Sequence, residues 1–349
     1  MGARSLAPPR LLDWSLFVAV AVLLGTGLGS LFAGTPDDWW VLAAHGVVGL
    51  ALVPLLAAKL WRVRHRLRHR PRGVAVSVLL AIVAVAALGT GVAWVLDAGV
   101  PVGPVPPLVV HAVVGIAAAA LLLAHLRRRA HDPRAVDLRD RRTALRYAGL
   151  LVGGALVWRG QSALARLRGA APRRFTGSRE HGSDDGNAFP VTSWVADDPD
   201  PVALDAWSLR VDGLVATPRT FDAANLPGGA RERALLDCTS GWYSDHEWRG
   251  VRVGGLLAAA GASDEARWVQ FRSVTGYRWS LPIAEARESL LATTVDGERL
   301  SHGHGFPLRL VAPGRRGFQW VKWVDRVTVR RRRDRSEWLA VFVSGLDGR

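Results

Sequence analysis

The feature that most constrains this chain is a set of four long apolar segments in its first half. They cover residues 12–33, 39–60, 73–96 and 107–126. A helix of about 20 mainly apolar residues can cross the roughly 30 Å hydrocarbon core of a bilayer. The sequence therefore predicts a membrane-spanning helix bundle. A fifth segment, 144–158, is shorter, so four to five spans are expected.

The second half of the chain has a different composition. Residues 1–158 are dominated by Ala, Val, Leu and Gly, whereas 187–349 resemble an ordinary soluble domain, and 159–186 form a linker rich in Arg, Gly and Ser. Short alternating segments such as WSLRVDGLV, at 207–215, predict strands, and only short helical segments separate them. The predicted fold class is α+β, with an all-α transmembrane bundle before a mixed α+β domain.

The 349-residue chain has a formal net charge of +15, which taken alone would suit a nucleic-acid partner. The arginines have another explanation, because the blocks at 61–72 and 127–142 flank apolar segments, whereas 34–38 and 97–106 contain no Lys or Arg. The positive-inside rule places the Arg blocks in the cytoplasm. Five spans would then put residues 187–349 on the extracytoplasmic side, with lipid rather than nucleic acid as the partner.

The segment 140–158 allows two interpretations. Arg141 and Arg142 before an apolar run resemble a twin-arginine export signal, which a receptor recognises. The alternative is an ordinary cytoplasmic flank of a fifth span. Either way, five spans place the following domain outside the cytoplasm. A four-span protein, with residues 187–349 in the cytoplasm, is the alternative to this orientation.

The apolar half contains an internal duplication. LGTG occurs at 24–27 and at 88–91, and the helix after each copy carries a similar histidine context, AHGVVGLAL around His45 and VHAVVGIAA around His111. A polar ring inside a membrane helix is unfavourable unless it is satisfied, and two neutral imidazoles can ligate one haem iron. We therefore predict one haem b held by His45 and His111, with the glycines admitting the macrocycle. The alternative is that the histidines bond across helices and the glycines pack them. The pattern resembles membrane b-type cytochromes with four-helix haem bundles.

The single cysteine, Cys238, lies in LDCTSGWYSDHEWRGV. A lone cysteine is most simply a small buried apolar residue, and it excludes disulfides within the chain. Together with DGERLSHGHGFPLRLVAPG and GFQWVKWVDRV, however, this segment resembles the sulfite-oxidase fold of molybdopterin oxidoreductases. The Trp-Tyr after the cysteine is more similar to the bacterial periplasmic reductase branch than to the sulfite oxidases, whose Gly-Asn-Arg continuation is absent.

This resemblance implies a role for each residue that matches a motif. Cys238 would bind molybdenum as a thiolate, and His304 and Arg309 would contact the anionic pterin phosphate and the pyran ring. Taken singly, these residues have ordinary structural explanations, such as a solvated charge for Lys322. The residues that the resemblance assigns to cofactor binding are Asn187, Thr192, Ser273, His304, Arg309, Trp320, Val321 and Lys322.

The combined prediction is a membrane-bound molybdenum oxidoreductase. Haem b would pass electrons between a quinone, or another membrane donor, and an extracytoplasmic Mo-molybdopterin site that reduces a small S-oxide or N-oxide. One alternative is oxidation of a small sulfur compound such as sulfite. Another is a cofactor-free membrane-anchored binding protein, although such a protein would have no reason to retain Cys238.

Overall fold

The chain forms two compact units, Met1–Gly177 and Ser178–Arg349. Parts of the predicted linker and of the Arg-rich loops, at 168–172, 70–74 and 130–140, lie outside the described residues. The structure, a computed structural model, describes residues 8–69, 75–95, 105, 107–129, 141–167, 173–193 and 197–345.

The first unit is helical. Within the described part of the chain, the first four helices are long and apolar enough to cross a membrane. They suggest that this unit is membrane-associated. This confirms the predicted all-α first half. The helices are α1 (Pro9–Gly29), α2 (Trp39–His69), α3 (Ala75–Val95), α4 (Pro107–Arg129) and α5 (Arg141–Leu167).

The fifth helix differs from its prediction. It continues to Leu167, beyond residue 158, where the sequence analysis ended the bundle. It is not among the four helices with a sufficiently long apolar stretch, because Arg146 and Arg159 interrupt its apolar run. Its helical course is nevertheless unbroken, and the sequence between these arginines contains no proline, the residue that disfavours a helix most strongly.

Helix α5 packs closely against α2. A Cβ atom at Gly154 would lie 2.8 Å from the carbonyl oxygen of Val47, and one at Gly46 would lie 2.1 Å from the ring of Trp158. Small residues let two helix backbones approach each other in this way. The remaining helices form two hairpins, α1 with α2 and α3 with α4.

The described residues of the second unit form two sheets and three short α-helices. Its strands are β1 (Arg179–Glu180), β2 (Ser208–Gly213), β3 (Arg219–Asp222), β4 (Ala230–Asp237), β5 (Trp242–Arg252), β6 (Trp268–Ser273), β7 (Arg278–Pro282), β8 (Leu290–Val295), β9 (Glu298–Arg299), β10 (Arg309–Val311) and β11 (Val324–Arg330). Its helices are α6 (Val253–Ala260), α7 (Ile283–Glu288) and α8 (Glu337–Val343).

A six-stranded sheet has the order β1-β5-β8-β10, with β4 added to β5 and β9 to β8, and a five-stranded sheet has the order β3-β2-β11-β6-β7. Only the β1–β5 and β2–β11 pairs are parallel. This mixed topology confirms the predicted α+β class. Because β1 pairs with β5, the residues from 179 onward belong to the second unit, although the sequence analysis included them in the linker.

Strand β5 follows the cysteine turn and alternates between buried and less buried residues from Trp242 to Arg249. Successive side chains of a strand point to opposite faces, so Trp242, Ser244, His246 and Trp248 all face the interior. Two polar residues therefore lie between two indoles in the core of this unit.

Candidate active site

Cys238 lies in the tight turn between β4 and β5. Its amide donates to the carbonyl of Trp242 (2.8 Å), and the amide of Gly241 donates back to the carbonyl of Cys238 (3.1 Å). Gly241 has a φ of +102°, a backbone region that favours glycine. The thiol is only 7 % exposed, and its Sγ lies 3.0 Å from Ser240 Oγ. The sequence Cys-Thr-Ser-Gly thus forms a short turn that holds a buried thiol in a fixed place.

A buried ion pair supports this turn. Arg316 Nη1 lies 2.9 Å from Asp237 Oδ2, Arg316 Nη2 donates to the carbonyl of Cys238 (3.2 Å), and Ser178 Oγ donates to Asp237 Oδ1 (2.7 Å). Gly317 lies against the turn, since a Cβ atom there would be 3.2 Å from Cys238 Cα. These contacts fix the backbone at the thiol. Neither Asp237 nor Arg316 was predicted from the sequence as a site residue. The signal for such a role was the position of Asp237 immediately before the cysteine.

Arg309, the first residue of β10, is a buried cation. It is 5 % exposed, and its Nη1 donates to the carbonyl of His304 (2.9 Å). Its guanidinium carbon lies 5.7 Å from the ring centre of Trp248 and 6.0 Å from that of Trp320. Burial lowers the pKa of Arg309 to about 10, and the nearby Cys238 opposes this shift.

The surroundings of Arg309 suit an anionic ligand. Among the described residues, no carboxylate pairs with Arg309, and its Nε has no hydrogen-bond partner there. Leaving a buried charge uncompensated is strongly unfavourable. An anionic group that binds beside Cys238 would supply the missing charge and accept the remaining N–H donors.

Lys322 carries a second positive charge in the same region. Its Nζ donates to the carbonyl of Gly303 (2.8 Å) and to Ser193 Oγ (3.0 Å). Burial and the charge of Arg309 lower the pKa of Lys322 to about 7, while Cys238 acts in the opposite direction. Cys238, Arg309 and Lys322 therefore lie close enough to influence one another electrostatically.

The ring of His304 is fully engaged with the protein. Nε2 lies 2.9 Å from the carbonyl oxygen of Phe189, which can only accept, so Nε2 carries the proton. Nδ1, 2.7 Å from Ser301 Oγ, therefore accepts from that hydroxyl. Burial lowers the pKa of His304 to about 4, and the bond to Phe189 opposes this shift. The carbonyl of His304 positions Arg309 and its ring is neutral, and the contact with the cofactor that the resemblance implies for His304 stays a prediction.

Asn187 and Thr192 attach the entry segment of the domain to the site loops. The side-chain amide of Asn187 donates to the carbonyl of Arg299 (2.9 Å), and its Oδ1 accepts from the amide of Ser301 (2.8 Å). Thr192 Oγ1 accepts from the indole N–H of Trp242 (3.2 Å), close to the cysteine turn. Both side chains bind protein groups and so arrange the loops around the site.

The remaining predicted residues have buried structural contacts. Ser273 ends β6, and its Oγ accepts from the amide (3.3 Å) and the hydroxyl (3.0 Å) of Thr275 in the next turn. Val321 is buried, and its carbonyl accepts from the amide of Leu310 (2.8 Å), the neighbour of Arg309. Trp320 is buried beside Arg309. Of the predicted set, Trp320, Lys322, Arg309 and Cys238 are thus grouped by direct or electrostatic interaction.

A buried polar triad in the same unit was not foreseen. Ser244 Oγ lies 2.5 Å from His246 Nε2, and His246 Nδ1 lies 2.5 Å from Asp296 Oδ2. The order resembles a hydrolase triad, but Ser244 and His246 are 0 % exposed, so no substrate reaches them. The triad satisfies polar groups inside the core. The signal in the sequence was the alternation of WYSDHEW, which directs His246 inward.

The two predicted haem ligands lie side by side in the first unit. The ring centres of His45 and His111 are 6.0 Å apart, with the rings 83° from parallel. Nδ1 of His45 is 3.0 Å from Thr26 Oγ1, and Nδ1 of His111 is 3.2 Å from Thr90 Oγ1. Each Thr hydroxyl donates to a carbonyl of its own helix, so it accepts from the imidazole. Nδ1 of His111 also lies 3.0 Å from the carbonyl of Ala87. Both rings therefore carry their proton on Nδ1 and keep a lone pair on Nε2.

The glycines of the repeated LGTG motifs fall into two classes. A Cβ atom at Gly27 would lie 3.4 Å from His45, and one at Gly91 would lie 2.9 Å from His111. These two glycines make room for the imidazoles, not for a macrocycle as the sequence analysis assumed. A Cβ atom at Gly25 or Gly89 would meet nothing within 4 Å.

The donor set of the second unit fits a cofactor that brings its own ligands. In the described part of the chain, no group of three or more His, Cys, Asp or Glu side chains could hold a metal ion. A single buried thiol beside two cations suits a metal carried by an anionic organic group. Cys238 would ligate the metal, and Arg309 and Lys322 would bind the anionic group.

Comparison with known proteins agrees with this arrangement. A family model described as an oxidoreductase molybdopterin binding domain matches residues 196–338. The oxidoreductase YuiH of Bacillus subtilis (strain 168) is 34 % identical over 142 residues, which are 39 % of this chain and 71 % of that protein. Mitochondrial sulfite oxidase of Homo sapiens is 37 % identical over 153 residues, 38 % of this chain and 28 % of that protein.

Two further matches cover a similar share of this chain. The NADPH nitrate reductase of Phytophthora infestans is 32 % identical over 159 residues, 36 % of this chain and 18 % of that protein. The solved structure of the sulfane dehydrogenase SoxCD from Paracoccus pantotrophus has 28 % identity and a TM-score of 0.37, and covers 39 % of this chain and 41 % of that chain. The chain thus spans less than a third of the sulfite oxidase and of the nitrate reductase. Its match to YuiH covers more than two thirds of that protein, and on this ground the chain is an enzyme that belongs to the molybdopterin-binding oxidoreductase family, which includes the sulfite oxidases.

Proposed function

We propose that this chain is a membrane-bound molybdenum oxidoreductase that takes electrons from a membrane quinol through haem b and reduces a small S-oxide or N-oxide. The observation that carries the catalytic part is the buried Arg309 beside Cys238, which has no carboxylate partner among the described residues. The observation that carries the membrane part is the pair formed by His45 and His111.

In the second unit, the chain's own residues would hold the molybdenum cofactor. Cys238 Sγ would ligate molybdenum, and the bound cofactor supplies oxygen-atom transfer coupled to two electrons. Arg309 and Lys322 would bind its anionic part. Burial lowers the pKa of both cations, and a bound anion would offset the cost of burying their charge. Trp242, the residue after the thiol turn, is buried, and its indole N–H donates to Thr192 Oγ1.

In the first unit, His45 and His111 would hold the haem iron, because they lie together with their ring centres 6.0 Å apart. The lone pairs on Nε2 of His45 and His111 are the groups that an iron needs. Gly25 and Gly89 have open space beside them, which suits a flat macrocycle.

The course of α5 supports an extracytoplasmic catalytic unit. Tyr147, near the start of α5, bonds to Ser15, near the start of α1 (2.7 Å). Trp158 lies against Gly46, beside His45, which bonds to Thr26 near the end of α1. Helix α5 therefore runs alongside α1 in the same direction. Since the positive-inside rule places the start of α1 in the cytoplasm, α5 would leave the membrane on the outer side.

Oxidation of a small sulfur compound is the second candidate. Several similar proteins are named sulfite oxidase, including those of Homo sapiens and Drosophila melanogaster. The reductase branch is favoured by the Trp242-Tyr243 continuation after the cysteine. The cofactor-free binding protein considered from the sequence does not agree with membership of an oxidoreductase family.

Anaerobic stopped-flow absorbance of the purified full chain in lipid nanodiscs separates the two directions. We expect a quinol analogue to reduce the haem, and methionine sulfoxide or trimethylamine N-oxide to reoxidise it. A Cys238→Ser control should be reduced by the quinol but not reoxidised. Haem reduction by sulfite, followed by reoxidation with a quinone, would support the second candidate and contradict the first.

Protease added to intact spheroplasts tests the sidedness separately. We expect release of the second unit by cleavage after α5. A second unit that is protected in spheroplasts and is cleaved in inverted vesicles would place it in the cytoplasm.

A further inference from the structure

Helix α8 (Glu337–Val343) presents a concentrated apolar face to solvent. Elsewhere in the described part of the second unit, only two large apolar side chains are exposed, those of Val191 and Leu204. A contiguous exposed apolar patch on an otherwise polar domain marks an interaction surface. The exposed side chains of this helix are Trp338, Leu339 (63 %), Phe342 (77 %) and Val343.

The orientation of this face is fixed by the opposite side of the helix. Glu337 is buried and bonds to Arg333 (2.6 Å), and Ala340 is buried in the unit. One edge of Trp338 packs on Trp279, with ring centres 5.1 Å apart. The helix is therefore anchored, and its apolar face cannot turn inward without breaking these contacts.

A cluster of positive charge borders the face. The segment RRRRDR, residues 330–335, contains five Arg and one Asp directly before α8. Arg331, Arg332 and Arg335 are exposed, although Arg331 pairs with Glu265. Aromatic and aliphatic side chains next to basic residues form the pattern of helices that lie in a membrane interface.

We propose that the α8 face, defined as Trp338, Leu339, Phe342 and Val343 with the bordering Arg331, Arg332 and Arg335, docks on the anionic lipid surface of a bilayer. The apolar side chains enter the headgroup region, and the arginines contact lipid phosphates. The same chain carries four helices that can span a membrane, so a lipid surface is tethered close to this unit. This inference does not depend on the proposed redox function.

The test uses the full chain in nanodiscs of neutral lipid, with or without anionic phosphatidylglycerol. A nitroxide attached at Phe342→Cys reports its depth by its accessibility to oxygen and to a water-soluble nickel complex. Asp205→Cys, at an exposed position distant in sequence, is the matched control, and unmodified protein measures labelling of the buried Cys238. We expect high oxygen and low nickel accessibility at 342 in anionic nanodiscs, and the reverse at 205.

The triple variant Arg331→Gln, Arg332→Gln and Arg335→Gln should lose this depth signal. Circular dichroism of each variant checks that the fold is retained. Equal nickel accessibility at 342 in neutral and anionic lipid would overturn the proposal. So would shielding of 342 from both reagents in detergent, which indicates a contact within the chain, or spin–spin coupling between labels, which indicates a second copy. A depth signal that survives the triple variant would also overturn it.

Discussion

The two units use histidine in opposite ways. In the first unit, His45 and His111 each donate Nδ1–H to protein oxygens and keep a lone pair on Nε2. In the second unit, His246 and His304 have both ring nitrogens bonded to protein groups. All four lie in largely apolar surroundings, so the surroundings do not distinguish them. The second ring nitrogen distinguishes them, because a ring with one bonded and one available nitrogen can act as a metal ligand, whereas a ring with two bonded nitrogens has its polar groups satisfied by the protein.

The same contrast applies to the charged groups of the second unit. Arg316 has Asp237 as its counter-ion and holds the cysteine turn, whereas the buried Arg309 has no carboxylate partner among the described residues. A buried cation that has a counter-ion inside the protein is scaffold, and one without a counter-ion points to an anionic ligand.

The largest effect is expected from Cys238→Ser, which removes the implied metal ligand. Turnover should fall to background, while the haem absorbance stays unchanged and the cofactor's own ligands keep molybdenum in the protein. Turnover assays, elemental analysis and the visible spectrum of the purified variant measure this. Ser240→Ala, two residues away, is the control and should retain turnover. Normal turnover in Cys238→Ser would remove this residue from the site.

Next in size is the loss of haem in His45→Ala and in His111→Ala, because one low-spin iron needs both axial ligands. The reduced-minus-oxidised visible spectrum measures haem b in each variant. His125→Ala is the control, since this histidine of α4 has Nδ1 near Ser77 Oγ (3.2 Å) and is not part of the pair. If both single variants keep a normal low-spin spectrum, the pair is scaffold, like His246 and His304.

Arg316→Gln should destabilise the second unit by about 3–5 kcal/mol, because it leaves the buried carboxylate of Asp237 without its counter-ion. Adding Asp237→Asn should restore part of the lost stability, since the unpaired carboxylate is then removed. Chemical denaturation followed by tryptophan fluorescence measures both. Arg233→Gln, which breaks a largely exposed pair with Asp184, should cause little change. Equal effects of Arg316→Gln and Arg233→Gln would contradict a special role for the buried pair.

A smaller effect is expected from Thr26→Val and Thr90→Val, which remove the acceptors that hold the imidazole rings. Loss of such a supporting contact typically weakens metal affinity about 10–100-fold. Haem titration and the midpoint potential measure the change, and Thr→Ser at either position should restore the wild-type values. Unchanged affinity and potential in both Val variants would show that the hydroxyls do not position the ligands.

The last effect concerns Lys322 and the pH dependence of stability. In the folded, cofactor-free chain the pKa of Lys322 is lowered to about 7 from 10.5. Between these values the unfolded chain binds the extra proton, so stability should rise as pH increases from about 7 to 10.5. Lys322→Met should flatten this rise in denaturation midpoints measured across that window. Identical slopes for wild type and variant would show that the lysine is not held in a destabilising environment.

Sequence reasoning identified the components better than their connections. The alternation of β5 and the Gly241 turn are local features of the sequence, whereas the role of Cys238 was predicted from the resemblance of its motif. The pairing of Asp237 with Arg316 joins residues far apart in sequence, and no periodicity signals it. The role of His304 depends on Phe189, which only the fold brings to it. Helix α5 was predicted too short because Arg159 suggested an end that its packing on α2 does not require.

The most direct test of the account is the measurement of molybdenum and haem b on one sample of the purified full chain. The account predicts one molybdenum and one haem b per chain, with the haem reducible by quinol. Molybdenum without haem would contradict the proposed membrane electron route and assign His45 and His111 to packing. Haem without molybdenum, in protein expressed with an active cofactor supply, would contradict the assignment of Cys238 and Arg309 as the catalytic site.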